Sequence, residues 1–343
     1  MAADRIVVIA PNWLGDAVMA LPALADLRRH FAAAHLAIAG RSAVAPLFTM
    51  VKGVDEIVTL PGGGGFRALK GWRDDAGALA AGRFDTAILL PNSFAAAWIA
   101  WRAAVAERWG FATDLRGRLL TRAIPKPRGY GHQREYYQAL TTALGAAAGQ
   151  PFATVTADGD RARELLREIG LDVDEPFVVF APGAAYGRAK QWLPERFAEL
   201  ALLIINELGW SVVMVGSRAD RPACEEIVAR LPATGTRMNR LIDFSGKSDL
   251  TSLAGVLSVA RAVVSNDSGA MHLAGAVGAR VVAIFGASNE RRTSPLTSAP
   301  DEPPPAILTH DVFCRPCMLR ECPIDHRCMR GITARQVFEA VRI

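Results

Sequence analysis

Asp267, Ser268 and Gly269 lie between an apolar run ending at Val264 and a small-residue stretch carrying Met271, Leu273, Ala274 and Val277. Strand, tight polar turn and helix in that order aim free backbone N–H groups and the positive helix end at one spot. Gly269 has no side chain to keep an anionic group off the backbone. Asp267 and Ser268 are also favourable N-caps, and capping alone would account for them. Two further segments raise the phosphate reading. Lys190 stands in the small-residue loop 182–192, after the apolar run 177–180, where its ammonium could neutralise a phosphate. Asp220 follows the apolar run 211–215, and a carboxylate at the end of a second strand can accept hydrogen bonds from ribose hydroxyls. Each alone is an ordinary surface residue. On one sheet edge they describe a nucleotide-diphosphate site.

Asp16 takes the corresponding place in the first half, one residue after Gly15 in the turn 11–16. An Asp there is commonly a helix cap. It would also project into a cleft opposite the nucleotide site, where a general base is wanted. A helix N-terminus stabilises the carboxylate and weakens it as a base, so proton removal would accompany attack by the nucleophile. No GxGxxG follows the first strand, which argues against a dehydrogenase. The four glycines at 62–65 mark a pliant loop rather than a phosphate cradle, because no GxxxxGK[ST] pattern follows them.

Alternating strands and helices must position these residues. Strands are expected at 5–10, 35–39, 54–60 and 86–90, the last ending at Pro91-Asn92-Ser93. The pattern resets between 149 and 175 and resumes with strands at 177–180, 211–215, 241–244, 262–264 and 281–285, with Gly278 closing the helix before the last. Such alternation means parallel sheets covered on both faces. We expect two doubly wound halves, 1–172 and 173–343, with ligands at the carboxyl ends of the strands, in a cleft between them.

The 343 residues are 51% hydrophobic and 21% charged, which fits a globular α/β chain of about two domains. No apolar run approaches the roughly 20 residues needed to span a bilayer, and the N-terminus does not read as a signal peptide. The protein is expected in the cytoplasm. Net charge is +5, and between positions 102 and 134 eight basic residues face two acidic ones. That stretch could meet phosphate, an acidic sugar or an anionic membrane, or be a solvated arginine-rich face. No nucleic-acid module is present.

PNWLGDAVMALPAL, PGAAYGRAKQW, SNDSGAMHLAGAVGA and CRPCMLRECPIDHRCM, in this order, together resemble the ADP-heptose:lipopolysaccharide heptosyltransferases. The likeness spans nearly the whole chain and is greatest to the members that add the second heptose. It implies a GT-B fold of two Rossmann-like domains. It implies inverting transfer of L-glycero-D-manno-heptose from an ADP-sugar to Kdo2-lipid A carrying one heptose, at the cytoplasmic face of the inner membrane. Asp16 would be the catalytic base and Lys190 the phosphate-binding lysine. Asp267, Ser268, Gly269, Ala270 and His272 would hold the donor diphosphate, and Asp220, where a related subfamily carries a glutamate, the ribose. Protein charges and helix dipoles stabilise the departing nucleotide in such enzymes, so no metal cofactor is required in principle. Asn12, Arg67, Lys70, Arg73, Asn92 and Ser93 are candidates to meet the anionic acceptor, with ordinary surface polarity as the alternative. Peripheral contact with an anionic inner-membrane surface is also implied. Other readings are a related transferase with a different sugar or acceptor, and a non-catalytic nucleotide-sugar binder, which would need no carboxylate at Asp16.

Cys314, Cys317, Cys322 and Cys328, with His326 nearby, have the ligand types of a tetrahedral structural zinc site. The spacing, one CxxC followed by irregular intervals, is not that of a standard finger. The alternative is a reduced, partly buried thiol cluster before the last helix. Cys224 reads as core.

Overall fold

The computed structural model describes residues 4–62, 68–129, 131–232 and 238–343. The chain forms two compact units, Met1–Val155 and Thr156–Ile343. Each unit carries one six-stranded sheet, and every pairing in both is parallel.

In the first unit the strands are β1 (Arg5–Ile9), β2 (His35–Arg41), β3 (Glu56–Leu60), β4 (Thr86–Leu89), β5 (Glu107–Phe111) and β6 (Arg122–Ile124), in spatial order 3-2-1-4-5-6. The helices are α1 (Leu14–Met19), α2 (Leu21–His30), α3 (Ala68–Ala81), α4 (Phe94–Arg102) and α5 (Gln133–Ala143). β1 reads RIVVI and is buried from its second residue on, as a central strand covered on both faces must be. Its Val7 lies opposite Ala37 of β2 and Ala87 of β4. Chain direction across the sheet reverses between β1 and β4, so the loops leaving these two strands flank the switch point where doubly wound sheets bind ligands. Those loops carry Asp16 and Asn92-Ser93.

The second unit repeats the plan. Its strands are β7 (Phe177–Ala181), β8 (Ser211–Met214), β9 (Leu241–Asp243), β10 (Ala262–Asn266), β11 (Val281–Phe285) and β12 (Ala306–Thr309), in order 12-11-10-7-8-9. Its helices are α6 (Gly159–Glu168), α7 (Pro194–Leu203), α8 (Arg221–Ala229), α9 (Leu250–Val259), α10 (Gly269–Ala276), α11 (Glu290–Thr293), α12 (Arg327–Arg330) and α13 (Ala334–Arg342). The switch point lies between β7 and β10, whose loops carry Lys190 and Asp267-Ser268-Gly269. Gly278 closes α10 at φ +81°, a left-handed conformation that suits glycine. The core packs Phe180, Trp192, Phe197, Met214 and Val264 under the sheet, and α13 adds Val337, Phe338 and Val341. Burying each such large apolar side chain contributes about 1.5–3 kcal/mol.

The boundary lies earlier than the expected 172/173. Helix α6 is amphipathic, and its buried face (Ala162, Leu166) belongs with the second unit, because Ala162 and the Asp158 carbonyl lie against Gly255 of α9.

Three arginines of the basic stretch 102–134 brace their own unit. Arg116 is fully buried: its Nε donates to the Phe111 carbonyl at 2.9 Å and its guanidinium also reaches the Pro91 and Ser93 carbonyls. Burial pulls its pKa down to about 10. Arg108 donates to the carbonyls of Leu119, Val105 and Ala106, and Arg122 to those of Ala143 and Leu144. Arg102, Arg118, Lys126 and Arg128 remain exposed. Among the described residues no helix is long and apolar enough to cross a membrane.

Candidate active site

In the second unit the β7 and β10 loops meet through side chains. Lys190 Nζ donates to Asp267 Oδ2 at 2.6 Å, in a pair whose side chains are only 13% and 5% exposed. The same ammonium lies 4.8 Å from the centre of the Tyr186 ring, and the Arg320 guanidinium lies 5.3 Å from it. His272, nearly buried, places Nε2 4.0 Å from Asp267 Oδ1. Ser268 occupies the N-cap position of α10 in an extended conformation, but its side chain caps nothing and lies 3.1 Å from the Ser265 hydroxyl. Asp267, turned to Lys190, does not cap either. The first-turn N–H groups of Gly269 and Ala270 have no acceptor within the helix, and among the described residues no side chain caps them. Capping therefore does not explain Asp267 and Ser268. An ammonium and an uncapped helix N-terminus at one switch point favour an anionic ligand.

Asn266, just before this group, is fully buried and was not among the expected site residues. Its Oδ1 accepts from the Trp192 N–H at 2.9 Å, and its Nδ2 donates to the Pro182 carbonyl at 2.6 Å. One side chain thus fastens both ends of the Lys190 loop to the end of β10. Asn266→Ala strands both backbone groups and should cost about 2–4 kcal/mol, read as a lower urea midpoint. It should also weaken nucleotide binding, because the loop loses its tether.

Asp220 Oδ2 accepts from the Ser217 N–H at 2.8 Å and the Ser217 hydroxyl at 2.7 Å, so one oxygen serves its own turn. Oδ1 lies against Gly183, where a Cβ would come within 2.1 Å, so glycine is required for this approach. A cleft of about 550 Å³ opens beside it, bordered by Pro182, Arg188, Trp192, Phe197 and Glu226. Lys190, Asp267 and Ser268 are not among its walls, so this group stands apart from it.

The 314–328 segment straps onto the Lys190 loop. The Tyr186 hydroxyl donates to the Met318 carbonyl at 2.8 Å, and the Ala189 N–H to the Arg320 carbonyl at 2.9 Å. Arg315 anchors the strap through the Gly286 carbonyl and Glu290. All five cysteines are free thiols. Burial foremost, with the neighbouring Cys314, Cys317 and Cys322, pushes the Cys328 thiol up. Yet among the described residues no three His, Cys, Asp or Glu side chains form a group that could hold a metal ion. Cys224 is core, its thiol pushed up to about 12 by burial.

In the first unit, Asp16 is the third residue of α1 and not its cap; Trp13 holds the N-cap position, three places earlier. Asp16 is half-buried, and the Tyr137 hydroxyl of α5 donates to its Oδ1 at 3.3 Å. Asn92 accepts from the Tyr136 hydroxyl at 2.7 Å, and Ser93 caps α4 by accepting from the Ala96 N–H. Ser93 is thus engaged by structure, which answers why it stands there. Asn12 is exposed beside α1, and Lys70 and Arg73 are exposed on α3; Arg67 lies outside the described residues.

Residues 74–326 match the sequence profile of glycosyltransferase family 9 (heptosyltransferase). The chain belongs to glycosyltransferase family 9. It is 31% identical over 302 residues to lipopolysaccharide heptosyltransferase 2 of Salmonella typhimurium, covering 85% of this chain and 86% of that one. Against lipooligosaccharide heptosyltransferase 2 of Campylobacter jejuni it is 25% identical over 345 residues, covering 98% and 97%. Among solved structures it resembles the ADP-heptose lps heptosyltransferase II of E. coli, with a TM-score of 0.82, 26% identity and coverage of 98% and 97%. A family 9 glycosyltransferase with the two Rossmann-like units of the GT-B fold is what the motifs implied. Both groups of polar residues in this family 9 enzyme stand at carboxyl ends of strands flanking a switch point.

Proposed function

We propose that this enzyme transfers L-glycero-D-manno-heptose from ADP-L-glycero-D-manno-heptose, with inversion, to the first heptose of Kdo2-lipid A already carrying one heptose. The observation that carries the donor reading is the Lys190 ammonium beside the uncapped N-terminus of α10. Positive charge there stabilises the departing diphosphate as the sugar–oxygen bond breaks. Asp220 Oδ1 meets the ribose. Asp16 takes the proton from the attacking acceptor hydroxyl. Lys70 and Arg73, exposed on α3 beside Leu69 (64% exposed), meet anionic groups of the acceptor or the membrane surface that bears it. The names of the relatives support the choice of sugar and acceptor.

The test is a transfer assay with ADP-heptose and two acceptors, Kdo2-lipid A and the same lipid carrying one heptose. ADP release only with the heptosylated acceptor is expected. Release with the bare Kdo acceptor would reassign the acceptor, and release with neither would reassign the sugar.

A further inference from the structure

Helix α5 holds the loops after β1 and β4 with two successive side chains, Tyr137 on Asp16 and Tyr136 on Asn92. The helix is itself fixed at its start by a capping box between His132 and Glu135. We propose that Tyr137 is a positioning residue for the base: its hydroxyl donates to the Asp16 carboxylate, fixing its aim and favouring its charged form. This rests on the reading of Asp16 as the proton acceptor.

The direction of the hydrogen bonds supports it. Tyr137 is buried, 4% exposed, and its phenol oxygen also interacts with Gln133, one turn earlier on α5, as an acceptor. With that lone pair satisfied, the phenol proton is directed to Asp16 Oδ1, 3.3 Å away. Burial first, then the negative charge of Asp16, pushes the Tyr137 pKa well above its usual value, so it remains a donor across the working range. It cannot serve as the base itself.

Tyr136 faces Tyr137 edge-on, with ring centres 5.8 Å apart, and Lys126 lies over the far ring of Tyr136. On the α2 side, Asp26 is held by Gln138 Nε2, Arg29 and the Gly149 N–H. His132, at the start of α5, accepts from the Arg134 N–H. A hydrogen bond donated to a carboxylate lowers its proton affinity, and losing that bond raises it.

The test is Tyr137→Phe in the full-length enzyme, which keeps the ring and removes only the hydroxyl. The acid limb of the kcat/KM–pH profile should move up by about one pH unit, since a charge-assisted bond is worth that much. Donor KM should stay within about twofold, because the donor residues are in the other unit. Carbon-13 NMR of the Asp16 carboxyl reads the same shift without turnover. A merely structural tyrosine would lower the melting temperature and leave both titrations in place. Unshifted titrations in a folded variant overturn the proposal. A shifted carboxyl with an unmoved kinetic limb would instead overturn Asp16 as the base, and with it the catalytic meaning of the contact. Tyr136→Phe, which frees Asn92 and leaves Asp16 bonded, should move neither titration.

Discussion

Replacing Asp16 with alanine should lower the transfer rate by about 10²–10⁴-fold, the range over which a positioned general base contributes. Calorimetry of the same variant should find ADP binding nearly unchanged. The split follows from where the residue sits. Asp16 is the third residue of α1, after β1 of the first unit, whereas Lys190, Asp267 and the N-terminus of α10 all belong to the second. Helix α1 is six residues long and its neighbours Ala17, Val18 and Met19 are buried, so the backbone holds the carboxylate in place. The carboxylate itself is only half-buried, and removing it leaves the Tyr137 hydroxyl as the stranded partner, at a cost of about 1–3 kcal/mol. The fold should survive that. Circular dichroism and the melting temperature therefore separate loss of chemistry from loss of structure. Turnover above about a tenth of the wild-type rate would remove Asp16 from the role of base, given the 10²-fold minimum such a base supplies. A non-catalytic binder would show ADP binding and no transfer even before the substitution.

The sheets were legible wherever strands are buried on both faces. RIVVI, FVVFA and VVAIF are unbroken apolar runs and formed as read. Strands β5 and β6 were missed, because the arginines in ERWGF and RAI break the apolar pattern. Nothing in one-dimensional pattern tells that Arg108 and Arg122 turn back onto carbonyls of their own unit. For the same reason the stretch 102–134, open between an anion-meeting patch and a solvated face, did not announce that its Arg116 is an internal strut. Strand β12, AILT, stands at the other margin of the second sheet and is too short to announce itself.

The candidate site was legible to the extent that its residues follow strands directly. Lys190, Asp220 and Asp267 follow strands of the second sheet, which as a parallel sheet delivers them to one edge, and Asp16 follows the first strand of the other sheet. Asn266 stands within the quoted SNDSG turn, but its two hydrogen bonds to the Lys190 loop span 74 positions to Trp192 and 84 to Pro182 and are tertiary facts. Tyr137 lies 121 positions from Asp16, on a helix whose spacing reads as ordinary amphipathic packing. The cysteines show a different limit. Ligand chemistry suggested zinc beside a reduced thiol cluster, but no spacing rule foretells that the segment's backbone carbonyls bond Tyr186 and Ala189.

Lys190→Ala should be damaging in two separable ways. Its ammonium can donate three hydrogen bonds; one goes to Asp267, and the face of Tyr186 takes part of its charge, which leaves donors for a phosphate. Loss of that cation should weaken ADP binding by about 10–100-fold, the worth of one or two charge-assisted hydrogen bonds. The second effect concerns the unliganded protein. Asp267 is 5% exposed, and without Lys190 its carboxylate is left buried with its strongest partner gone. Breaking a buried pair from one side costs about 3–5 kcal/mol. Urea unfolding should register this as a large drop in midpoint. The double variant Lys190→Ala, Asp267→Asn removes the stranded charge as well, and most of the lost stability should return. Its ADP affinity should not return, because the phosphate still has no ammonium to meet. Recovery of both together would mean that Lys190 only neutralises Asp267. Recovery of stability alone would mean that the pair keeps a cation ready, with Asp267 holding it in place until the diphosphate arrives.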